Sequence, residues 1–350
     1  MKKTILALTI PALFATSASA VTVYSDEGAQ IDIYGRVQYE AGERGYQSVK
    51  KEKAQNFGGD GEARLGVNVK YMVNNDVDLI GKLEWAAVTE ADDASDGVGQ
   101  GEGLSSRYAW AGFRFMDTTE LTFGRSMNPT AQVIYYTDVF NIYGADTIYS
   151  GAIGLDDKVD DQIQATYAAN GVDLRAGYAF ADNDKDDGNE NKKNQWSVSA
   201  GYTLPMGLGF AVAYEQQEWG DRSSGNGDTD IDAWIAGVNY TIDGFYFAAL
   251  YNQQEQDNYD GTSDKLETDG YELHAEYNVD AWKIMAQYAK EEAEHGSDKW
   301  DSVDNITLGV QYSLTPKAKL YAEYVISDSE IDASGDKKDD LYGVGIQYNF

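Results

Sequence analysis

Segments ending in tyrosine recur along the chain at Tyr167, Tyr202, Tyr240, Tyr277, Tyr312 and Tyr348, at intervals of 35, 38, 37, 35 and 36 residues. A near-constant period of this size marks one supersecondary unit copied along the chain. Each copy holds two runs in which apolar residues take alternate positions. Trp196, Val198, Ala200 and Tyr202 form one run, and Leu208, Phe210, Val212 and Tyr214 form its partner. Trp234, Ala236, Val238 and Tyr240 lead through Asp243-Gly244 into Phe245, Phe247, Ala249 and Tyr251. Ile306, Leu308, Val310 and Tyr312 lead through Thr315-Pro316 into Leu320, Ala322 and Tyr324. Alternation with period two reads as β-strand, and short Gly, Pro, Asn and Asp connections read as hairpin turns. The other connections, 181–194, 216–230, 253–268, 290–301 and 327–339, are long and polar. Every unit is therefore strand, short turn, strand, long loop.

The same pattern extends through the N-terminal half. It predicts sixteen strands near 30–40, 62–71, 78–87, 106–115, 119–125, 160–168, 172–180, 195–203, 208–215, 232–240, 245–252, 269–277, 281–290, 303–312, 318–326 and 340–350. A glycine count of 36, a tyrosine count of 26 and only 4 prolines fit many strands and turns. The absence of cysteine excludes disulfides, zinc–thiolate sites and thiol nucleophiles, and two histidines cannot build a His-rich metal site. A net charge of −32 repels phosphate, so nucleic acid is an unfavourable partner.

The first twenty residues are of another kind. Lys2 and Lys3 precede an uncharged stretch with its apolar core at Ile5–Ala15, closed by Ala18-Ser19-Ala20. This is the layout of a cleaved secretory signal, which places residues 1–20 as leader and 21–350 as a single domain. No later stretch is apolar for 18 residues, so no helical span is expected. Without Lys2 and Lys3 the charge becomes −34.

Sixteen alternating strands could close with the apolar face inward, as a soluble barrel or sandwich, or outward, as a membrane barrel with a polar lumen. Four features favour the membrane barrel. The signal exports the chain. Aromatic residues cluster at strand ends, as in Trp196/Tyr202 and Trp282/Tyr288, where interfacial girdles belong. Short turns alternate with long loops, so the two rims face different compartments. An even antiparallel set closes without an exposed edge, as a bilayer requires.

Several local motifs carry a resemblance. The last run, Leu341–Phe350, alternates and ends in phenylalanine, and resembles the C-terminal signal of Gram-negative outer-membrane barrels. Ile31–Arg36 looks like the first strand of the general diffusion porins, Glu62–Gly66 like their second and Ser106–Gly112 like their fourth. Gly124-Arg125 introduces a segment with Tyr136-Thr137-Asp138 and Gly144-Ala145-Asp146, which resembles their pore-constricting third loop. The resemblance spans the mature chain. It implies a homotrimeric, 16-stranded antiparallel barrel in the outer membrane of a Gram-negative bacterium. It further implies short periplasmic turns, long external loops and a third loop, about 126–158, folded into the lumen.

Such a chain performs no bond chemistry and is not an enzyme; it needs a wet lumen, a constriction and a field across it. Strand parity puts Asp32, Tyr34 and Arg36 inward if Ile31, Ile33 and Val37 face lipid, and Glu62 and Arg64 inward if Ala63 and Leu65 do. For Arg107 parity is ambiguous, because Tyr108 and Trp110 compete with Ala109, Ala111 and Phe113; the resemblance places it inward. The expected constriction is a basic wall of Arg36, Arg64 and Arg107 opposite an acidic loop carrying Asp138 and Asp146, with Asp146 equally suited to tying the loop to the wall. Lys82 and Asp160 are further lumen-facing candidates. Ile142 stands where the family often carries a second loop carboxylate, and Lys158, Asp160 and Asp161 occupy the region of an expected fourth arginine.

The acidic clusters at Asp92-Asp93, 182–187, 228–232, 328–332 and Asp339-Asp340 lie mostly on the long-loop side. They read as a solvated surface, with bridging to lipopolysaccharide through loosely bound Ca2+ or Mg2+ as a sharper reading; no EF-hand spacing occurs and no other cofactor is called for. The expected function is passive diffusion of ions and small hydrophilic solutes with a modest preference for cations. A solute-specific sugar channel of the same fold and an adhesive barrel are the alternatives. Glu272, His274 and Glu276 share one strand face, but no nucleophile or zinc motif accompanies them.

Overall fold

The computed structural model describes residues 20–43, 58–88, 104–149, 151–181, 192–220, 228–259 and 264–350. Residues 1–19 of the expected leader and the acidic residues at 92–93 and 182–187 lie outside them. The strands are β1 (Val21–Asp26), β2 (Ala29–Glu43), β3 (Gly58–Asn74), β4 (Val77–Val88), β5 (Ser105–Phe115), β6 (Thr119–Met127), β7 (Lys158–Ala169), β8 (Val172–Ala179) and β9 (Lys192–Thr203). They continue with β10 (Leu208–Trp219), β11 (Thr229–Ile242), β12 (Phe245–Gln256), β13 (Leu266–Val279), β14 (Trp282–His295), β15 (Asp298–Thr315), β16 (Ala318–Ser327) and β17 (Leu341–Asn349). From β2 onward each pairs antiparallel with its neighbours in the chain, and β17 pairs with β2 from Tyr342↔Glu43 to Asn349↔Arg36. The sheet is thus a closed barrel and no edge is left for hydrocarbon to meet.

All sixteen expected strands are present, mostly longer at the rim of the long loops. The additional strand is β1, which pairs with the other end of β2 from Val21↔Ile33 to Asp26↔Ala29. β1 and β17 therefore share one stave of a sixteen-stave barrel. Reciprocal backbone hydrogen bonds of 3.0 Å between Gly35 and Phe350 continue the ladder from β17 toward β1. Six residues with two alternating valines are too short a run to stand out by periodicity. The short turns behave as their residues dictate. Asn170-Gly171 and Asp243-Gly244 both hold positive φ at two successive positions, the geometry that matches the twist of a two-residue hairpin.

The apolar face looks outward. Val198, Val212, Leu308 and Ile346 are each more than 40% exposed, where lipid covers them. Two aromatic belts ring the wall. Trp196 meets Tyr214 at 5.1 Å and Trp234 meets Tyr251 at 5.3 Å toward the long-loop rim, while Phe245 stacks on Tyr277 at 4.4 Å and Trp282 meets Tyr312 at 4.7 Å beside the short turns. Tyr251 Oη and Tyr324 Oη donate to Asp269 and Asp340 at 2.7 and 2.9 Å, so the upper belt ends in carboxylates that belong in water.

The interior departs from a uniformly polar lining. Ala211, Ala213, Ile231, Ala233, Ile235, Leu250, Leu266 and Ala293 point inward from β10–β14 and are buried against Val133, Ile134, Ile148, Ile153 and Leu155. The third loop covers this sector of the wall and makes it dry.

Candidate functional site

The third loop leaves β6 at Met127 and returns at Lys158. It carries two single-turn helices, α1 (Ala131–Ile134) and α2 (Asp146–Tyr149). Between them it runs along the inner wall from β9 to β17. Glycines on alternate strands let it approach. A Cβ would lie 2.9 Å from Tyr136 and Val133 at Gly237, 2.9 Å from Thr147 at Gly270, 2.8 Å from Phe140 at Gly309 and 2.7 Å from Ile142 at Gly343.

Wall carboxylates hold the loop by its backbone. Glu323 accepts the N–H groups of Asn141, Ile142 and Tyr143 at 2.7, 2.9 and 3.1 Å. Glu272 accepts the N–H and hydroxyl of Thr147 at 2.9 and 3.0 Å, and Glu291 accepts the N–H of Ala152 at 2.8 Å. At the root, Glu215 accepts Asn128 Nδ2 at 2.6 Å, and Tyr246 Oη donates to the Tyr136 carbonyl at 2.8 Å. Such charge-assisted bonds are among the stronger ones, and buried donors left without them would be costly. None of these four carboxylates was singled out as an anchor from the sequence. Inward parity was legible for Glu215, Glu272 and Glu323, while Glu291 fell beyond the expected strand end at 290; each partner lies 87 to 182 positions away.

Facing this loop are β2–β5. Arg36 Nη2 pairs with Glu62 Oε1 at 2.7 Å, and Arg64 Nη2 donates to Glu62 Oε2 at 3.1 Å. Arg107 Nε pairs with Glu84 Oε1 at 2.9 Å, and Tyr34 Oη donates to Glu84 Oε2 at 2.6 Å. The Lys82 ammonium lies 4.1 Å from the Tyr108 ring centre and 5.5 Å from that of Tyr34, and Lys158 lies 5.4 Å from Tyr108. Lys158 also pairs with Asp157 and sits within electrostatic reach of Arg107 and Arg64. A cavity of about 30 Å³ lies between Lys82, Trp110, Thr122, Ser126 and Gln164, beside Met127 at the root of the loop. Asp32 takes hydrogen bonds from Thr22 and Gln30 at 2.6 and 2.8 Å, nearer the short-turn rim.

The parity of β5 is settled by a bulge. Glu84 pairs with Tyr108 and Trp85 with Ser106, so Arg107 is the extra residue and turns inward beside Tyr108, while Ala109, Ala111 and Phe113 face out. A second bulge corrects the expectation for Asp160. Gly124 pairs with Gln162 and Ser126 with Val159, and Asp161 takes φ 51°. The extra residue reverses the alternation: Val159 is buried, and the 62% exposed Asp160 meets Arg125 at 2.9 Å on the outer side of the wall.

On the loop, the two acids part company. Asp138 lies within reach of Asp157 and Lys158, and burial, with the charge of Asp157, pushes its carboxyl up to about 6. Asp146 is buried on α2 and turned to the wall, where Asn305 Nδ2 approaches at 3.4 Å; burial and the neighbouring Glu272 push it up to about 7. It therefore does not face the arginines, in contrast to the expectation of a second lumen acid. Ile142 packs on Gly343 of β17, a wall contact. Glu272 and His274, which share a face with Glu276, are both occupied by the loop: Glu272 holds Thr147, and His274 meets the edge of Phe140 at 5.5 Å.

Comparison with known proteins places this architecture. A family model described as Gram-negative porin matches residues 7–332. Outer membrane porin F of Escherichia coli K12 is 27% identical over 380 residues, covering the whole of both chains. Outer membrane protein F of Serratia marcescens is 29% identical over 70% of this chain and 66% of that protein. Among solved structures, Salmonella typhi OmpF in complex with daunomycin superposes with a TM-score of 0.77 at 19% identity, over 94% of this chain and 100% of that one. An anion-selective porin from Comamonas acidovorans superposes with a TM-score of 0.68 at 18% identity, over 92% and 100%. A closed barrel with an outward apolar face, a loop folded inside and a family match across most of its length identify the chain as a member of the Gram-negative porin family, a non-enzymatic channel for passive diffusion in the outer membrane.

Proposed function

We propose that the chain is a trimeric general diffusion pore with a modest preference for cations, passing ions and small hydrophilic solutes between the third loop and the β2–β5 wall. The observation that carries this reading is the division of the lumen. The loop is sealed to β9–β17 by carboxylate anchors and a dry apolar cluster, which leaves the free cross-section bordered by Arg36, Arg64, Arg107, Lys82 and Asp138. Low-dielectric walls focus the field of these groups across the opening, so a permeating solute is oriented by its dipole and an apolar one is disfavoured. The cation preference rests on the mature charge of −34 and on acids at the long-loop rim such as Asp228, Asp269 and Asp340. Trimer formation is supported by the likeness in fold to OmpT of Vibrio cholerae, solved in a trimer form, which superposes with a TM-score of 0.71 at 19% identity over 93% of this chain and 100% of that one. Divalent cations bridging rim carboxylates to lipopolysaccharide phosphates would suit the same acids.

A solute-specific channel is the second reading, favoured by the inward Tyr34, Tyr108 and Trp110 around Lys82. Liposome swelling with sugars of graded size separates the two. General diffusion gives a rate that falls smoothly with size and ignores stereochemistry. A sugar that enters faster than its stereoisomer overturns it. A reversal potential under a KCl gradient tests the sign of selectivity, and a preference for chloride refutes the cation reading.

A further inference from the structure

The basic wall is not bare. Five cations, Arg36, Arg64, Lys82, Arg107 and Lys158, are interleaved with three carboxylates, Glu62, Glu84 and Asp157, and Asp138 on the loop lies within electrostatic reach of Lys158 and Asp157. Glu62 sits between Arg36 and Arg64 and bonds both. Glu84 sits among Arg107, Lys82 and Tyr34, and its side chain is only 8% exposed, so its charge is weakly screened. The two loop acids, Asp157 and Asp138, leave the five cations at +3, and the two wall glutamates bring the sum to +1.

We propose that Glu62 and Glu84 are specificity-determining residues of the pore. Their carboxylates cancel the field of the adjacent arginines at the narrowing, and the cation preference survives there because of them. This inference rests on the lumen beside β2–β5 being the conducting path. It differs from the arrangement anticipated from the sequence, in which basic wall and acidic loop stand opposed and unmixed. Here the transverse field is weakened at its source, and the acids of the outer rim set the sign of selectivity.

The test is the permeability ratio of potassium to chloride, measured on the detergent-extracted protein in planar bilayers under a KCl gradient. Glu62→Gln and Glu84→Gln keep the side-chain volume and part of the hydrogen bonding while removing one charge each. Coulomb interaction across about 10 Å of water, screened over a Debye length of similar size and acting oppositely on the two ions, predicts that the ratio falls about 1.7-fold for each and about threefold for the pair. Glu84→Asp, which keeps the charge, should hold the wild-type ratio. Glu84→Gln combined with Arg107→Gln, which restores the charge balance, should return toward it. A residue that served only to hold the wall would alter conductance or assembly, and Glu84→Asp would then resemble Glu84→Gln. The 29% exposed Glu62 side chain carries the test alone if the buried position prevents folding. A conducting double variant, or a conducting Glu62→Gln in that case, with an unmoved ratio sinks this proposal and leaves the pore reading intact. A wild-type chain that does not conduct sinks the pore reading, and this inference with it.

Discussion

Arg107 Nε and Glu84 Oε1 stand 2.9 Å apart across β5 and β4 because a single extra residue in β5 turns the arginine into the lumen. Without the bulge, Arg107 would share a face with Ala109 and Ala111 and lie against hydrocarbon, where an arginine at mid-depth costs about 2–4 kcal/mol. The same device works in reverse at β7, where it delivers Asp160 to the outer side beside Arg125. Two bulges thus exchange which charges the channel sees.

The arginine pair on β2 and β3 should be the most direct lever on the opening. Arg36→Ser with Arg64→Ser removes two long side chains and two charges, leaving Glu62 unpaired. Single-channel conductance should rise and the potassium-to-chloride ratio should increase severalfold. Unchanged conductance and selectivity would remove both residues from the constriction.

Selectivity should depend on pH through the loop. The Asp138 carboxyl is raised to about 6, so it is mostly charged at pH 7.5 and mostly neutral at pH 5. Losing a negative charge beside the pathway lowers the preference for cations as pH falls through about 6. Asp138→Asn should start from the lower ratio and show a smaller change over this interval. Reversal potentials at pH 7.5 and 5 check both, and an equal slope in the variant would assign the titration elsewhere.

Glu323 secures three successive N–H groups at the tip of the third loop. Glu323→Ala leaves them without an acceptor in a partly buried site, at about 1–3 kcal/mol for each donor that water cannot reach. The barrel wall itself keeps its ladder. The expected result is a channel that inserts normally but shows increased current noise and a higher mean conductance, together with earlier heat denaturation in detergent. A Glu323→Ala trace as quiet as the wild type's would mean that the apolar cluster alone holds the loop.

The outward face can be tested by charge. Leu308→Arg, on the lipid side of β15, should destabilise the folded barrel in bilayers by about 2–4 kcal/mol, as read by reversible denaturant unfolding. Gln311→Arg, on the lumen side of the same strand, should cost much less and alter selectivity instead. Equal costs at the two positions would contradict the assignment of faces.

Local chemistry made most of the barrel legible. The tyrosine-terminated repeat, the alternation of Trp234, Ala236 and Val238, and turns such as Asp243-Gly244 depend on neighbours within a few positions, and pattern alone exposes them. The inward positions of Tyr34, Arg36, Glu62 and Arg64 followed from counting by two. β1 was too short to register, and it became a strand only because β2 offers it a vacant stretch beside β17.

What the sequence by itself determined was the ribbon: strand, turn, strand, loop, with one greasy side and one wet side, since period-two alternation leaves no other regular structure. The tertiary structure alone decided where the third loop lies, why Ile231, Ile235 and Leu266 face inward and yet stay dry, and which acids touch which arginines. Those contacts join residues up to 182 positions apart, and they turn on bulges that shift parity by one; neither leaves a trace in a local pattern.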